Sequence, residues 1–296
     1  MPEPVTPAVA EAPHPRRWYT TNLVGVPAAV LAGTTFNAHP LALVIPGTRA
    51  THAGLFALLA RSADVEECRE VFAHYMRLVF GLTPPPGERA RGEPGARPAR
   101  ETAEQRRWRT SYLKLLQGWG LDSNSAAGAV FKGWVESRFG LVPGFHKVPL
   151  TAFPSPAWLG YLEEKDGSRY HNNSIWQQLD LLFEFCQWML RRWPALLPAG
   201  DDPDHVRLWR GSTRVEEQVV AGSLRARHCV VRLNNLVSFS LSRDDAGCFG
   251  DWILEARVPR VKLVYVPGLV RGQVLQGEGE VLALGGDYDV EARHGP

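Results

Sequence analysis

The chain has 296 residues, of which 45% are hydrophobic and 22% are charged, a composition typical of a soluble globular protein with a substantial core. Its formal net charge of +2 is too small to indicate a nucleic-acid or anionic-membrane partner. No stretch contains the roughly 18 consecutive apolar residues that a membrane-spanning helix needs. We therefore expect a protein that neither binds nucleic acid nor spans a membrane.

The chain begins with a stretch rich in proline and alanine, residues 1–17. This stretch has little apolar surface to bury, so we predict a disordered tail. It also lacks the apolar segment of a secretory signal, and the four cysteines (Cys68, Cys186, Cys229 and Cys248) form no Cys-x-x-Cys pair. These features predict a cytoplasmic protein with free thiols and no metal site.

Residues 18–204 are expected to form a mostly helical portion. Apolar residues recur at helical spacing over 53–80, which predicts one or two helices. The pattern returns over Trp108–Trp119, Ser125–Arg138 and, with the widest apolar face, Ile175–Trp193.

A segment rich in proline, glycine and arginine, residues 83–105, interrupts the helical portion. It has no apolar period, and its arginines are balanced by glutamates. We interpret it as a mobile surface insertion rather than an arm that binds nucleic acid.

Residues 205–296 are expected to be rich in β-strands. Short β-branched or alternating segments, separated by Gly, Pro and Asp, occur here: HVRLWRGS, CVVRLNNLVSFSLS, WILEARVP, KLVYVPG and GEVLALGG. A run of helices followed by a run of strands indicates an α+β protein. We predict a helical N-terminal portion packed on a C-terminal antiparallel β core.

Several common sites are absent from the sequence, among them GxGxxG, the Walker loop, HExxH and GxSxG. The ten tryptophans lie mostly in helical patterns, where we interpret them as core residues rather than a platform for stacking bases. What remains is a set of polar residues in the β-rich portion: Arg210 before a glycine, Ser238 in a Ser-x-Ser strand, and Glu278 and Glu280 in Glu-x-Glu. Each of these features alone is commonplace on a solvated sheet.

Together and in this order, these residues resemble the arginine–serine–glutamate class of ADP-ribosyltransferases. The stretches VSFSLSRDDAGCF, ILEARVP and EGEVLALGGDYDV resemble the later strands of that class, including a turn at the glycine pair. Phe239 stands where a threonine is common in the class. Its side chain should point to the opposite face of the strand from Ser238 and leave the site intact.

Stretches of the N-terminal portion narrow the resemblance to the dinitrogenase reductase ADP-ribosyltransferase family. They are WYTTNLVGVP, FNAHP, SYLKLLQGWGLDSN, KGWVESRFGLVPGFHKVPL and YHNNSIWQQLDLLFEFCQW, so the resemblance extends from Trp18 to about Val290. It implies NAD as co-substrate and an arginine of the nitrogenase iron protein (dinitrogenase reductase) as acceptor. It also implies that the enzyme switches nitrogen fixation off, with a PII nitrogen-signalling protein as a further partner.

The two glutamates receive distinct roles from their chemistry. Side chains at i and i+2 of a strand point to the same side, so Glu278 and Glu280 should face one cleft. Glu280 would stabilise the positive charge that develops on the ribose as the bond to nicotinamide breaks. Glu278 would hold the acceptor guanidinium and take up its proton.

The other site residues are assigned to NAD. A guanidinium matches phosphate oxygens and is always charged, so we expect Arg210, with the adjacent Gly211, at the NAD diphosphate. Ser238 would contact the ribose and hold the Glu280 carboxylate in place. Ser240 is a further residue expected to bind NAD. This chemistry requires no metal.

Two alternatives stay open at the level of the sequence. One is an NAD glycohydrolase, or an ADP-ribosyltransferase with another target. The other is a non-catalytic regulatory protein that keeps the fold and binds NAD or a partner. The intact arginine, serine and glutamates argue against the second alternative, because a decayed site usually loses a charge first.

Overall fold

The computed structural model describes residues 22–83, 102–170, 173–200, 202–272, 274–275, 277 and 279–295. The predictions made for the tail at 1–17, for most of the segment 83–105 and for Glu278 therefore fall outside the described residues. No helix within the described ranges is long and apolar enough to cross a membrane.

Ten of the eleven described α-helices come before the main sheet. They are α1 (Ala28–Leu31), α2 (Thr34–Ala38), α3 (Thr48–Thr51), α4 (Ala53–Leu59), α5 (Val65–Phe80), α6 (Ala103–Arg109), α7 (Tyr112–Leu121), α8 (Ala126–Phe139), α9 (Pro156–Gly167) and α10 (Asn173–Arg192). Between α8 and α9 lies a short hairpin of β1 (Phe145–His146) and β2 (Val148–Pro149).

Side-chain caps and glycines set the limits of the predicted helices. The side chain of Asp64 accepts the N–H of Glu67 at 2.8 Å and starts α5, which ends at Gly81 in the left-handed conformation (φ 63°). Ser125 starts α8 in the same way, and Gly140 (φ 69°) ends it. The helices predicted over 53–80 are thus confirmed as two.

The helical pattern predicted over Trp108–Trp119 is confirmed except at 110–111, where one helix ends and the next begins. Helix α6 ends at Arg109 and α7 begins at Tyr112. Ser111, which is fully buried, lies between them and caps α7 by accepting the N–H of Lys114. A capping hydroxyl therefore interrupts an apolar period that continues on both sides of it.

The last residues of the predicted insertion, 103–105, belong to a helix. Thr102 accepts the N–H of Gln105 at 3.2 Å, and the Gln105 side chain accepts the N–H of Thr102 at 2.8 Å. This reciprocal pair is a capping box, and it starts α6 inside the 83–105 range. The composition of the segment hid this signal.

The second part of the chain forms one six-stranded antiparallel sheet with a short helix. Its elements are β3 (His205–Ser212), β4 (Val219–Gly222), β5 (His228–Ser240), α11 (Arg243–Gly247), β6 (Trp252–Pro259), β7 (Leu263–Tyr265) and β8 (Glu280–His294). The α+β class and the order of helices followed by strands are confirmed.

Four of these strands form a closed ring of pairings. Strand β3 pairs with β6, β6 with the second half of β8, and β8 with β5 along almost its whole length. The ring closes where Trp209 of β3 lies opposite Ser240 of β5. This closure brings the end of β3, the end of β5 and the start of β8 to one edge of the sheet.

The glycine pair at 285–286 does not form the predicted turn but lies inside β8. The register between β5 and β8 shifts at this point, which is a bulge. A Cβ on Gly285 would lie 1.5 Å from the carbonyl oxygen of Asn234, and Gly286 has a φ of 117°. The glycines therefore permit a close backbone approach and a kink within a long strand.

One hydrophobic core joins the helical portion to the sheet. It runs from Ala28 to Ala292, and α10 packs against β7 with most of its apolar residues fully buried. The stripe predicted on this helix (Leu179, Leu182, Cys186 and Met189) is confirmed as buried. A small second cluster lies between α8 and α9.

Candidate active site

The carboxylate of Glu280 meets Ser238 at the edge where the ring closes. Glu280 is the first residue of β8 and lies opposite Ser240, while Ser238 lies opposite Leu282. The hydroxyl of Ser238 donates a hydrogen bond of 2.7 Å to Oε1 of Glu280. The structure thus brings together two of the residues predicted from the sequence.

The surroundings of Glu280 act on its charge in opposite directions. Burial raises the pKa of Glu280 above its ordinary value. The Ser238 hydroxyl, the positive charge of Arg210 and the backbone N–H of Gly277 each lower the pKa again. The ionised form is therefore partly desolvated, and the three groups oppose the effect of burial without cancelling it.

Arg210 of β3 reaches the same strand end. Its Nη1 donates to the carbonyl oxygen of Ser238 at 2.7 Å. Its Nε is buried and has no hydrogen-bond partner among the described residues. Burial lowers the pKa of Arg210, and Glu280 opposes that change. The guanidinium remains charged at any physiological pH, since its ordinary pKa lies above 12.

Gly211 and Ser240 have evident structural roles at this edge. A Cβ on Gly211 would lie 2.0 Å from the carbonyl oxygen of Ala246, so the glycine allows α11 to rest directly on β3. The hydroxyl of Ser240 accepts the N–H of Ser242 at 3.0 Å and so fixes the turn that leaves β5. Their predicted contacts with NAD stay predictions.

Phe239 takes the orientation expected of it. It is 3% exposed, and its ring packs edge-to-face on Tyr288 at 5.8 Å, while its neighbour Ser238 faces Glu280. The departure from the class pattern is thus on the core side of β5.

A small cavity adjoins Glu280 on the side of the loop between β7 and β8. It has a volume of about 180 Å³, and its described lining is Tyr265, Pro267, Gly268, Gly272, Val274, Leu275, Gly277 and Glu280. Burial raises the pKa of Tyr265 to about 12, so this phenol is neutral. The cavity as bounded by the described residues has space for a small planar group.

Trp119 of α7 also contacts Ser238, and this contact was not predicted from the sequence. Its indole Nε1 donates to the hydroxyl oxygen of Ser238 at 2.9 Å. Trp119 is 4% exposed and falls on the buried stripe of α7 with Tyr112, Leu115 and Leu116. The helical period predicted its burial, but nothing in the local sequence indicated a partner 119 residues away.

The described part of the chain contains no cluster of metal-ligating side chains and no disulfide. No group of three or more His, Cys, Asp or Glu side chains is arranged to hold a metal ion there. The four cysteines are free, and Cys248 alone among them is exposed.

An arginine, a serine and a glutamate converge from three strands of a closed antiparallel sheet, which is the arrangement that the resemblance to the arginine–serine–glutamate class predicts. The family model for dinitrogenase reductase ADP-ribosyltransferase matches residues 21–292. The chain belongs to this family. It is 47% identical over 276 residues to the NAD(+)–dinitrogen-reductase ADP-D-ribosyltransferase of Rhodospirillum rubrum, covering 93% of this chain and 95% of that protein. No solved structure matches the chain.

Proposed function

We propose that this protein is an NAD-dependent mono-ADP-ribosyltransferase that transfers ADP-ribose from NAD to an arginine of the nitrogenase iron protein. The family and the name of the Rhodospirillum relative support NAD as co-substrate and dinitrogenase reductase as target. The observation that carries the proposal is the 2.7 Å hydrogen bond from Ser238 to Glu280, with the Arg210 guanidinium bound to the same strand end.

The residues present fit NAD. Arg210 has a buried Nε donor without a partner among the described residues, next to a bonded Nη1. A buried charged donor left without an acceptor is costly, so the arrangement favours an anionic oxygen as its missing partner. The diphosphate of NAD supplies such oxygens, and Arg210 would hold it.

Glu280 would act on the ribose of NAD. The bond between C1′ of the ribose and the nicotinamide nitrogen breaks, and its electron pair leaves with the nicotinamide, which becomes neutral. Positive charge then develops on the ribose, as in glycoside cleavage. The Glu280 carboxylate, fixed by Ser238, would stabilise that charge where it forms, without reorganising during the reaction.

The acceptor guanidinium completes the reaction. One of its nitrogens forms the new bond to C1′, and the nitrogen gives up a proton. Glu278, which lies outside the described residues, is proposed as the carboxylate that orients the guanidinium and accepts this proton. The cavity beside Glu280 has space for a guanidinium, which supports an approach of the acceptor from that side.

The finer parts of the proposal come from the family resemblance. We propose that the modification switches nitrogen fixation off, that the protein acts in the cytoplasm and that a PII nitrogen-signalling protein binds it. Co-purification of tagged protein with PII under nitrogen-replete and nitrogen-limited growth tests the last point. Absence of PII from both eluates would refute the proposal that PII binds this protein.

The central experiment is transfer of labelled ADP-ribose. The full chain is incubated with NAD labelled in its adenine and with purified native iron protein, followed by mass mapping of the modified residue. We expect one modified arginine, and no label with the Glu280→Gln variant. Release of free ADP-ribose at the same rate with and without iron protein would indicate an NAD glycohydrolase instead. Binding of NAD without turnover would indicate the non-catalytic alternative.

A further inference from the structure

Trp119 belongs to the helical portion, yet it contacts the hydroxyl that holds Glu280. We infer that Trp119 is a positioning residue for Glu280, acting through Ser238, so that α7 completes the active site of the strand portion. This inference rests on the proposed function only for its kinetic consequence. The hydrogen bonds that carry it are 2.9 Å from Trp119 Nε1 to Ser238 Oγ and 2.7 Å from Ser238 Oγ to Glu280 Oε1.

The chemistry of the three groups fixes the direction of this chain. An indole N–H can only donate, whereas a hydroxyl both donates and accepts. When Trp119 donates to the oxygen of Ser238, the single proton of Ser238 remains for Glu280. An ionised carboxylate can only accept, so the order Trp119 to Ser238 to Glu280 satisfies every group. Hydrogen bonds in such a row polarise and strengthen one another.

The indole is held rigidly enough to serve this purpose. The ring of Phe131 on α8 packs edge-to-face on Trp119, with 5.7 Å between centroids and 76° between planes. Next to it, Gly118 brings α7 close to α8, because a Cβ there would lie 2.7 Å from the Cβ of Ala127. The ammonium of the buried Lys132 lies 5.9 Å from the centre of the indole. The ring of Phe131, the close packing of α7 on α8 and the Lys132 ammonium together restrict the indole.

Removing the N–H should change the ionisation of Glu280. Burial raises the pKa of Glu280, and the Ser238 bond lowers it. Without Trp119 the Ser238 proton loses its constraint and the bond to Glu280 weakens, so the pKa should rise. The described titratable groups that face Glu280 are Arg210 from β3 and Tyr265 from β7, and neither changes charge between pH 4 and 8. Glu278 is a second carboxylate proposed for the same cleft, and the Lys132 ammonium beside Trp119 has a pKa lowered to about 8. The signal assigned to Glu280 itself, rather than activity alone, therefore reports on this carboxylate.

The test compares Trp119→Phe with Trp134→Phe in the full chain. Trp134 is a matched control, since it is fully buried, packs on the same Phe131 ring and donates its indole N–H to Asp180 at 2.7 Å rather than to Ser238. The ¹³C carboxyl shift of Glu280, assigned with Glu280→Gln, is followed from pH 3 to 9. We expect an increase of roughly half to one pH unit in the Glu280 midpoint for Trp119→Phe, and none for Trp134→Phe.

The kinetic arm uses transfer to the iron protein. The acid limb of the kcat profile should move to higher pH by the same amount, with kcat reduced about three- to tenfold at pH values well below the midpoint and unchanged well above it. In a Ser238→Ala background the same substitution should have no further effect, because the chain is already broken. An unshifted midpoint, or effects that add in the double variant, would overturn the inference.

A second variant at position 119 covers the case in which Trp119→Phe does not fold. If Trp119→Phe does not fold, benzothienylalanine incorporated at position 119 keeps the shape of the indole and lacks the donor. The same shift is then expected. Failure of the wild-type chain to modify the iron protein would refute the proposed function, whereas the carboxyl titration would still decide the role of Trp119.

Discussion

Arg210→Lys separates the two properties of the Arg210 side chain, its charge and its planar fork. The lysine keeps the positive charge near Glu280 but has a single nitrogen. That nitrogen can replace the Nη1 bond to the Ser238 carbonyl or bind a phosphate oxygen in place of Nε, but its geometry does not match both. We expect the variant to fold and to bind NAD weakly.

The expected loss of NAD affinity follows from the number of hydrogen bonds that the lysine cannot make. One hydrogen bond from a charged donor contributes about 1.5–3 kcal/mol. Loss of one such bond to NAD corresponds to a decrease of about 10- to 150-fold in affinity. Arg210→Gln should be weaker still. It should also move the acid limb of the activity profile to higher pH, because the charge of Arg210 lowers the pKa of Glu280.

The assay is calorimetric titration of NAD, with kcat/KM for NAD measured at a fixed concentration of iron protein. Arg232→Lys is the matched control. Arg232 donates two hydrogen bonds, of 2.7 and 2.8 Å, to Asp287 on the same sheet, far along β8 from Glu280. It should leave NAD binding unchanged.

Unchanged NAD affinity in Arg210→Lys would refute the reasoning. An unchanged affinity combined with a lower melting temperature would show that Arg210 serves to hold the end of β5 rather than the diphosphate. A shift of the acid limb in Arg210→Lys as large as that in Arg210→Gln would contradict the role given to the charge.

Three further predictions concern other positions. Glu280→Gln should abolish both ADP-ribose transfer and NAD hydrolysis. Glu278→Gln should abolish transfer and leave measurable hydrolysis. Equal loss of both activities in Glu278→Gln would contradict the separate roles given to the two glutamates. Gly211→Ala places a Cβ 2.0 Å from the Ala246 carbonyl, so we expect a loss of about 1–3 kcal/mol and a lower melting temperature in calorimetry. Lys262 is fully buried with a pKa lowered to about 7, so Lys262→Met should stabilise the protein in urea unfolding most below pH 7, with the gain shrinking toward pH 10. A pH-independent gain would show that the pKa of Lys262 is not lowered in the folded protein.

The sequence predicted those parts of the fold that follow from a regular period. The apolar stripe of α10 and the limits of β3 and β6 are visible in the residues themselves, because one face must be buried. The order of Arg210, Ser238 and Glu280 along three strands was also readable. Only the three residues in combination indicated an active site, since each residue type alone is common on a sheet.

The errors have a different cause. A capping serine inside an apolar run, Ser111, looks like any polar residue on a helix, and only its burial shows that it ends one helix and starts the next. The glycine pair at 285–286 is compatible with a turn or with a bulge. The choice depends on the carbonyl of Asn234 on the neighbouring strand, a contact that no local pattern contains.

The contact between Trp119 and Ser238 connects the helical portion of the chain to the candidate active site on the strands. The strands alone bring Arg210, Ser238 and Glu280 to one edge, because β3, β5 and β8 close a ring of pairings. They do not fix the proton of Ser238, and a hydroxyl free to rotate would hold the Glu280 carboxylate loosely. The donor that constrains it comes from α7, and α7 is held by the core that also contains the sheet. In this proposal the helical portion helps to position Glu280 through Trp119, and any surface that it offers to the iron protein is connected to Glu280 through α7.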